Sequence, residues 1–335
     1  MRWKGRRESD NVEDRRGGRR VGTAGKAGLG GGAILVVIVL ALLTGEDPSK
    51  LLSQIDPGGG GINVARAVKL LNGQATALVA IGGATGAHLL QLLALEGVPT
   101  VAFQGPGETR QSMSVIDQGT GEQYRFVMPG PVWRDDDVPR ALNSVDQATG
   151  EDSLVVLSGS QPPGVAKDFP SILASHVKGR EARLIVDTSG PALFHLAEKP
   201  REALHVLRMD GPEGEELAGR PLPTREDTAE FAQSLVQAGV ARIIIVARGA
   251  DGSVLASEEG NWHSVGAPVP VISKVGAGDS FVGAFTLALA GNEPVEECLR
   301  WGVAAASAAV MTEATRLCDR KITESLLKDC TITRL

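Results

Sequence analysis

"VGAGDSFVGAFTLALA", residues 275–290, sets Gly276, Ala277 and Gly278 before a single carboxylate, Asp279, and then continues as an apolar helix. Two readings compete for this stretch. In one, Asp279 caps a tight turn, as Asp does at many helix starts. In the other, small residues leave the N–H groups of the helix start open to an anion, with a base beside them. The second reading demands a particular fold. In open α/β sheets, ligands sit at the carboxyl ends of the strands.

From Pro57 onward the chain has that organisation. Short β-branched runs alternate with Ala/Leu-rich stretches: "ATALVAIGG" then "TGAHLLQLLALEG", "SLVVLSG" then "DFPSILASHVKG", "ARLIVDTSG" then "PALFHLAEK". "REDTAEFAQSLVQAG" precedes "ARIIIVARG". Strands apolar on both faces and joined through helices indicate a parallel sheet covered on both sides. "TRQSMSVIDQGTGEQYRFVMPG", residues 109–130, alternates polar and apolar residues around Gly119-Thr120-Gly121. It predicts an antiparallel hairpin at the sheet edge.

Glycines gather at several strand ends. In "PGGGGINVARAVKLL", Gly58 to Gly61 let the backbone approach a ligand closely, and Asn63 is placed to bond a hydroxylated one. "AIGGATGAHL" resembles a dinucleotide fingerprint but lacks its first spacing and its acidic residue, which leaves a nicotinamide site weakly supported. In "VLSGSQPPGV", Ser158, Gly159 and Ser160 end an apolar strand, as an ordinary turn or as hydroxyls facing a ligand. Free N–H groups and one carboxylate are a sufficient set of parts for phosphoryl transfer, which needs positioning and charge neutralisation above all.

Composition excludes other classes. The net charge of −6 over 335 residues argues against a nucleic-acid binder. Three cysteines without a CxxC pair read as reduced thiols of a cytoplasmic protein, and five scattered histidines show no metal-ligand spacing. The N-terminus departs from the rest. Residues 1–32 form a charged, glycine-punctuated extension that reads as disordered, ahead of a single domain over 33–335. The apolar run 33–43 has the length of a buried strand; the uncharged segment 27–45, behind an Arg-rich flank, gives membrane association as the alternative.

Taken in order, "GGGGINVARA", "GGATG", "TRQSMSV", "GEQYRFVMPG", "SGSQPPGV", "IVDTSG", "KVGAGDSFVGA" and "ATRLC" resemble the ribokinase-like (PfkB-type) carbohydrate kinases, and among them the bacterial 6-phosphofructokinases. The resemblance runs from about Pro57 to about Cys318. It implies a three-layer α/β sandwich with a mostly parallel central sheet, and phosphorylation of a sugar phosphate by MgATP, with fructose 6-phosphate as acceptor in glycolysis. By resemblance Asp279 is the general base, and Gly276, Ala277 and Gly278 form the anion hole. Gly59, Gly60, Asn63, Arg110 and Ser160 line the sugar-phosphate side. Arg208, Ala247, Gly249 and Gly252 fall in the nucleotide-contacting stretches, Asp210 and Glu213 organise magnesium, and a monovalent cation is a further cofactor of the family.

The departures from the family pattern are informative. "RMDGPE", residues 208–213, stands for the family's KPNxxE: Arg208 replaces Lys, Asp210 replaces Asn and Glu213 is kept. Lys274 stands where a small hydroxyl residue is usual. The family's first strand ends in a substrate-binding Asp followed by two lid strands; here Asp47 is the stand-in, and nine residues separate it from Pro57. The expectation is a reduced or missing β lid and a weakened homodimer. The alternatives are a catalytically weakened relative that binds sugar phosphate or nucleotide, a kinase for fructose 1-phosphate or tagatose 6-phosphate, and a membrane-tethered protein.

Overall fold

Residues 12–13, 56–116, 123–313 and 315–335 are described by a computed structural model of the chain. After β1 (Val12–Glu13) and α1 (Gly60–Leu70) come β2 (Ala77–Ile81), α2 (Gly83–Leu95) and β3 (Thr100–Gln104). The hairpin strands β4 (Ser112–Ile116) and β5 (Gln123–Val127) follow. A regular alternation then runs through α3 (Asp137–Ala148), β6 (Leu154–Ser158), α4 (Phe169–Lys178), β7 (Arg183–Asp187), α5 (Gly190–Glu198) and β8 (Leu204–Met209). It continues with α6 (Gly211–Ala218), α7 (Arg225–Gln237) and β9 (Ala241–Ala247). The chain ends with β10 (Ser253–Ser257), β11 (Gly260–Val265), α8 (Ala277–Ala290), α9 (Val295–Val310), α10 (Arg320–Leu327) and β12 (Thr331–Arg334).

The main sheet has the order β12-β11-β10-β9-β8-β7-β6. It is parallel from β6 to β9, where helical crossovers join the strands, and antiparallel from β9 to β12. Successive residues of the central strands serve opposite faces. Ile185, Val206, Ile243 and Ile245 pack with Val64 of α1, Phe281 and Phe285 of α8, and Leu299 of α9. Leu184, Val186, Leu207, Met209, Ile244 and Val246 pack with Val145, Leu173, Leu193 and Ala232 of α3, α4, α5 and α7. That is the three-layer sandwich, and it explains why these strands are apolar without alternation.

Helix α8 crosses α1 at a place where bulk is excluded. A Cβ on Gly283 would lie 2.8 Å from the Ala67 Cβ and 3.2 Å from the Val64 carbonyl oxygen. The bare glycine therefore sets how close the two helices come, and with it the distance between their N-terminal turns.

β4 and β5 form the hairpin that the alternation predicts, paired from Ser112↔Val127 to Ile116↔Gln123. Its place is a correction: among the described residues the hairpin lies apart from the main sheet, in a three-stranded sheet of order β1-β5-β4. Val12–Glu13, inside the extension expected to lack structure, pairs antiparallel with Phe126 and Arg125 of β5. An unpaired strand edge offers N–H and C=O groups to any extended segment, which accounts for this pairing. Among the described residues β2–β3 stand as a parallel pair of their own. The Gly119-Thr120-Gly121 turn, the apolar run 33–43, the segment 27–45 and Asp47 lie outside the described residues. Among the described residues no helix is long and apolar enough to cross a membrane.

Candidate active site

The site is built at the start of α8. Gly276, with φ +79°, is its N-cap and has no side-chain cap, so Asp279 lies within the first turn and is not the capping residue. Small residues at 276–278 keep the turn bare. The Ala277 N–H reaches back to the Lys274 carbonyl at 3.4 Å, and the turn carries the positive end of the helix dipole.

Asn63 lies one turn into α1, its own N–H bonded to the Gly59 carbonyl at 2.8 Å. Its Nδ2 donates to Asp279 Oδ2 at 2.9 Å, although the two residues are 216 positions apart. The glycine run is pressed onto the end of β6: a Cβ on Gly60 would lie 2.5 Å from Ser158 Oγ. Ser158 in turn donates to Asp187 at 3.5 Å, at the end of β7. Gly59, Gly60, Asn63 and Asp279 are thereby brought together. Ser160 is exposed beyond Gly159, and Arg110 is exposed against Gly130, at the base of the hairpin.

Arg208, next to last in β8, turns its guanidinium into this centre. Nη1 donates to Asp187 Oδ1 at 2.8 Å and lies 3.3 Å from where Gly278 would carry a Cβ. The guanidinium also stacks on Phe281, 5.5 Å from the ring centroid. Burial works against the charge, but Asp187, Glu213 and Asp279 outweigh it and hold the Arg208 pKa above the usual arginine value.

Asp210 and Glu213 form a capping box at the start of α6. The Glu213 N–H donates to Asp210 Oδ1 at 2.9 Å, and the Asp210 N–H donates to Glu213 Oε2 at 2.8 Å. Burial, then the Asp210 and Asp187 carboxylates, push the Glu213 carboxyl up to about 7, against the Asp210 N–H and Arg208. Among the described residues no group of three or more His, Cys, Asp or Glu side chains is arranged as a metal cage. The pair is therefore an incomplete, oxygen-only donor set with surplus negative charge, which suits a hard cation whose other ligands come from elsewhere.

Ala247, Gly249 and Gly252 sit at the end of β9 and in the turn after it. A Cβ on Gly211 would be 3.1 Å from the Ala247 carbonyl oxygen, so the 208–213 and 247–252 stretches adjoin. The turn is held by charges. Arg248 donates to the carbonyls of Leu222, Pro223 and Thr224 and to Asp251, while Arg225 also grips Asp251. Hydrogen bonding by Arg225, with help from Arg248, lowers the Asp251 pKa to about 2.

Sequence reasoning missed Asp187 as a member of the site, although "IVDTSG" places it at the end of an apolar strand, where ligands bind. A cavity of about 340 Å³ beside α5, lined by Lys167, Phe194, His195, Glu198 and Glu216, shares none of these residues.

Residues 52–322 match the model of the pfkB family carbohydrate kinases. The chain belongs to that family. As a pfkB family kinase it is a phosphotransferase with an alcohol group as acceptor, and ATP is its co-substrate. It is 41% identical over 271 residues to the ATP-dependent 6-phosphofructokinase isozyme 2 of Escherichia coli, covering 81% of this chain and 87% of that protein. It is 31% identical to the 1-phosphofructokinase of Bacillus subtilis over 83% of this chain and 89% of that one. The crystal structure of E. coli phosphofructokinase-2 with fructose-6-phosphate superposes with a TM-score of 0.76 at 40% identity, covering 82% and 87% of the two chains. The same enzyme in complex with potassium gives 0.77 at 41% identity, with the same coverage.

A second family model, described as "Putative neutral zinc metallopeptidase", matches residues 1–75. Every histidine and cysteine of the kinase lies after residue 75, so that stretch carries neither of the two commonest zinc-ligand types. The match spans the N-terminal region that departs from the kinase pattern and overlaps the kinase match over 52–75.

Proposed function

We propose that this sugar-phosphate kinase transfers the γ-phosphoryl group of ATP to the C1 hydroxyl of fructose 6-phosphate, giving fructose 1,6-bisphosphate and ADP. The observation that carries the reading is Asp279 in the first turn of α8, its carboxylate bonded by Asn63 and Arg208 standing over the same turn. Asp279 accepts the hydroxyl proton while the sugar oxygen bonds to the γ-phosphorus and the bond to the bridging oxygen of ADP breaks. The N–H groups at the helix start and Arg208 meet the negative charge that develops on the transferring group.

Arg110 is assigned to the phosphate the sugar already carries, because a guanidinium matches a phosphate in shape and charge. Gly59, Gly60 and Ser160 shape the sugar side, with Asp47 as the remaining candidate. Ala247, Gly249 and Gly252 receive the nucleotide. Asp210 and Glu213 would hold the magnesium that arrives with ATP, and the raised Glu213 pKa is the imbalance that a cation there relieves. Bound magnesium shields phosphate charge. A monovalent cation is a further expected cofactor, since E. coli phosphofructokinase-2 was crystallised with potassium.

The purified chain with MgATP, assayed for ADP release across fructose 6-phosphate, tagatose 6-phosphate, fructose 1-phosphate and unphosphorylated hexoses, tests this. Fructose 6-phosphate is expected to turn over fastest. Turnover with unphosphorylated sugars alone would remove the role given to Arg110.

One observation favours a second reading, a weakened relative that binds its ligands without efficient turnover: both carboxylates of "RMDGPE" are already engaged with each other's backbone. In that case ATP or sugar phosphate raises the thermal midpoint but no ADP appears. We also infer a cytoplasmic enzyme, on the unpaired cysteines, and a homodimer weaker than the lid-rich members of the family form. A tight dimer at nanomolar concentration in light scattering would contradict the latter.

A further inference from the structure

Behind Asn63 stands Arg66, buried on the same helix. Its Nε and Nη2 grip both oxygens of Glu96, just past the end of α2, at 2.6 and 2.7 Å. This is the forked pairing that fixes a guanidinium in orientation as well as position. The remaining nitrogen, Nη1, donates to the Pro57 carbonyl at 2.9 Å, to Asn63 Oδ1 at 3.2 Å and to the Thr315 carbonyl at 3.5 Å.

Asn63 therefore faces two partners of opposite kind. Its oxygen accepts from Arg66 and its nitrogen donates to Asp279. Turning the amide over would set N–H against N–H at Arg66, and oxygen against oxygen at Asp279. Only one amide orientation satisfies both ends, and the guanidinium enforces it.

We propose that Arg66, clamped by Glu96, is a positioning residue for the transfer reaction: it fixes the Asn63 amide and, through it, the Asp279 carboxylate. The inference rests on the role of Asp279 given above. The competing account is a structural clip that joins α1 to the end of α2 with no bearing on the base.

A double-mutant cycle separates the two. With fructose 6-phosphate and MgATP, Arg66→Lys keeps the charge but cannot serve Glu96 and Asn63 together, and kcat is expected to fall roughly tenfold with the KM for ATP unchanged. In an Asn63→Ala background, the same change should cost no further kcat, because the link it acts through is gone. Losses that multiply in the double variant overturn the proposal. Should Arg66→Lys not fold, Glu96→Gln takes its place in the cycle, with a smaller loss expected in the same direction. If the wild type phosphorylates no sugar phosphate, the kinase reading falls, and the relay is then judged from thermal midpoints. Asn63 links Arg66 to Asp279, so shifts for Arg66→Lys and Asp279→Asn that fail to add support it, and shifts that add overturn it.

Discussion

Arg208 bonds Asp187 at 2.8 Å, and the same guanidinium stands beside Gly278, in the turn that carries Asp279. One cation thus joins the ends of β7 and β8 to the start of α8. Three of its neighbours, Asp187, Glu213 and Asp279, are carboxylates, so the centre is acidic around a largely buried guanidinium.

Removing that charge exposes its two duties. Arg208→Met leaves the largely enclosed Asp187 without its ion-pair partner, and breaking a fully buried pair costs about 3–5 kcal/mol, an upper bound here. A clear drop in thermal midpoint is expected, together with a rise of at least about tenfold in the KM for ATP, from lost charge at the phosphates. Arg208→Lys restores the residue usual in the family and should fold with a smaller penalty. Circular dichroism melts and ATP titrations measure both effects. An Arg208→Met protein as stable as the wild type would show that Asp187 does not depend on the pair.

Asp279→Asn tests the base. The cap of α8 is Gly276, so the substitution leaves the helix start intact and the thermal midpoint nearly unchanged. Turnover is expected to fall at least about a hundredfold, because an amide cannot accept the hydroxyl proton. An active Asn variant would remove Asp279 from the mechanism.

His205 contributes to the loss of stability between pH 6.5 and 4. The unfolded imidazole has its ordinary value of 6.5; burial, then the charges of Arg183 and Arg242, push it down to about 4 in the folded chain. Between those values the unfolded chain takes up a proton that the folded one refuses, so the His205 contribution to stability falls as pH drops from 6.5 to 4 and levels off below. His205→Val should lose less in thermal midpoint over that window. Parallel curves for variant and wild type would assign the acid limb to other groups.

Much of this was legible from local pattern. Apolar runs such as "ARLIVDTSG" and "ARIIIVARG" are strands because both faces of the sheet are covered, and that condition suppresses polar alternation. The place of Asp279 in the first turn of a helix was legible from the small residues before it and the apolar run after it. What pattern could not carry was pairing across the chain. The Asn63–Asp279 bond depends on how closely Gly283 lets α8 approach α1, and the Arg66–Glu96 fork on where α2 ends against α1. The place of the hairpin was misread for a related reason: alternation reports that one face is covered, not which sheet the strands join.

The last prediction concerns Asp210. The family carries a neutral amide there; this chain adds a carboxylate beside Glu213, whose own pKa is already pushed up to about 7, first by burial and then by Asp210 and Asp187. Asn caps a helix about as well as Asp, so Asp210→Asn should keep the capping box and move the thermal midpoint by less than about 2 °C. The charge is what changes. With one like-charged neighbour gone, Glu213 ionises more readily, while the stretch as a whole attracts a divalent cation less strongly. If the pair handles the magnesium of MgATP, the magnesium concentration for half-maximal rate, or the maximal rate itself, should shift several-fold. If Asp210 serves only to start α6, the magnesium titrations of the two proteins will superimpose, and Asp210 then leaves the site with Glu213 as its one remaining carboxylate on that loop.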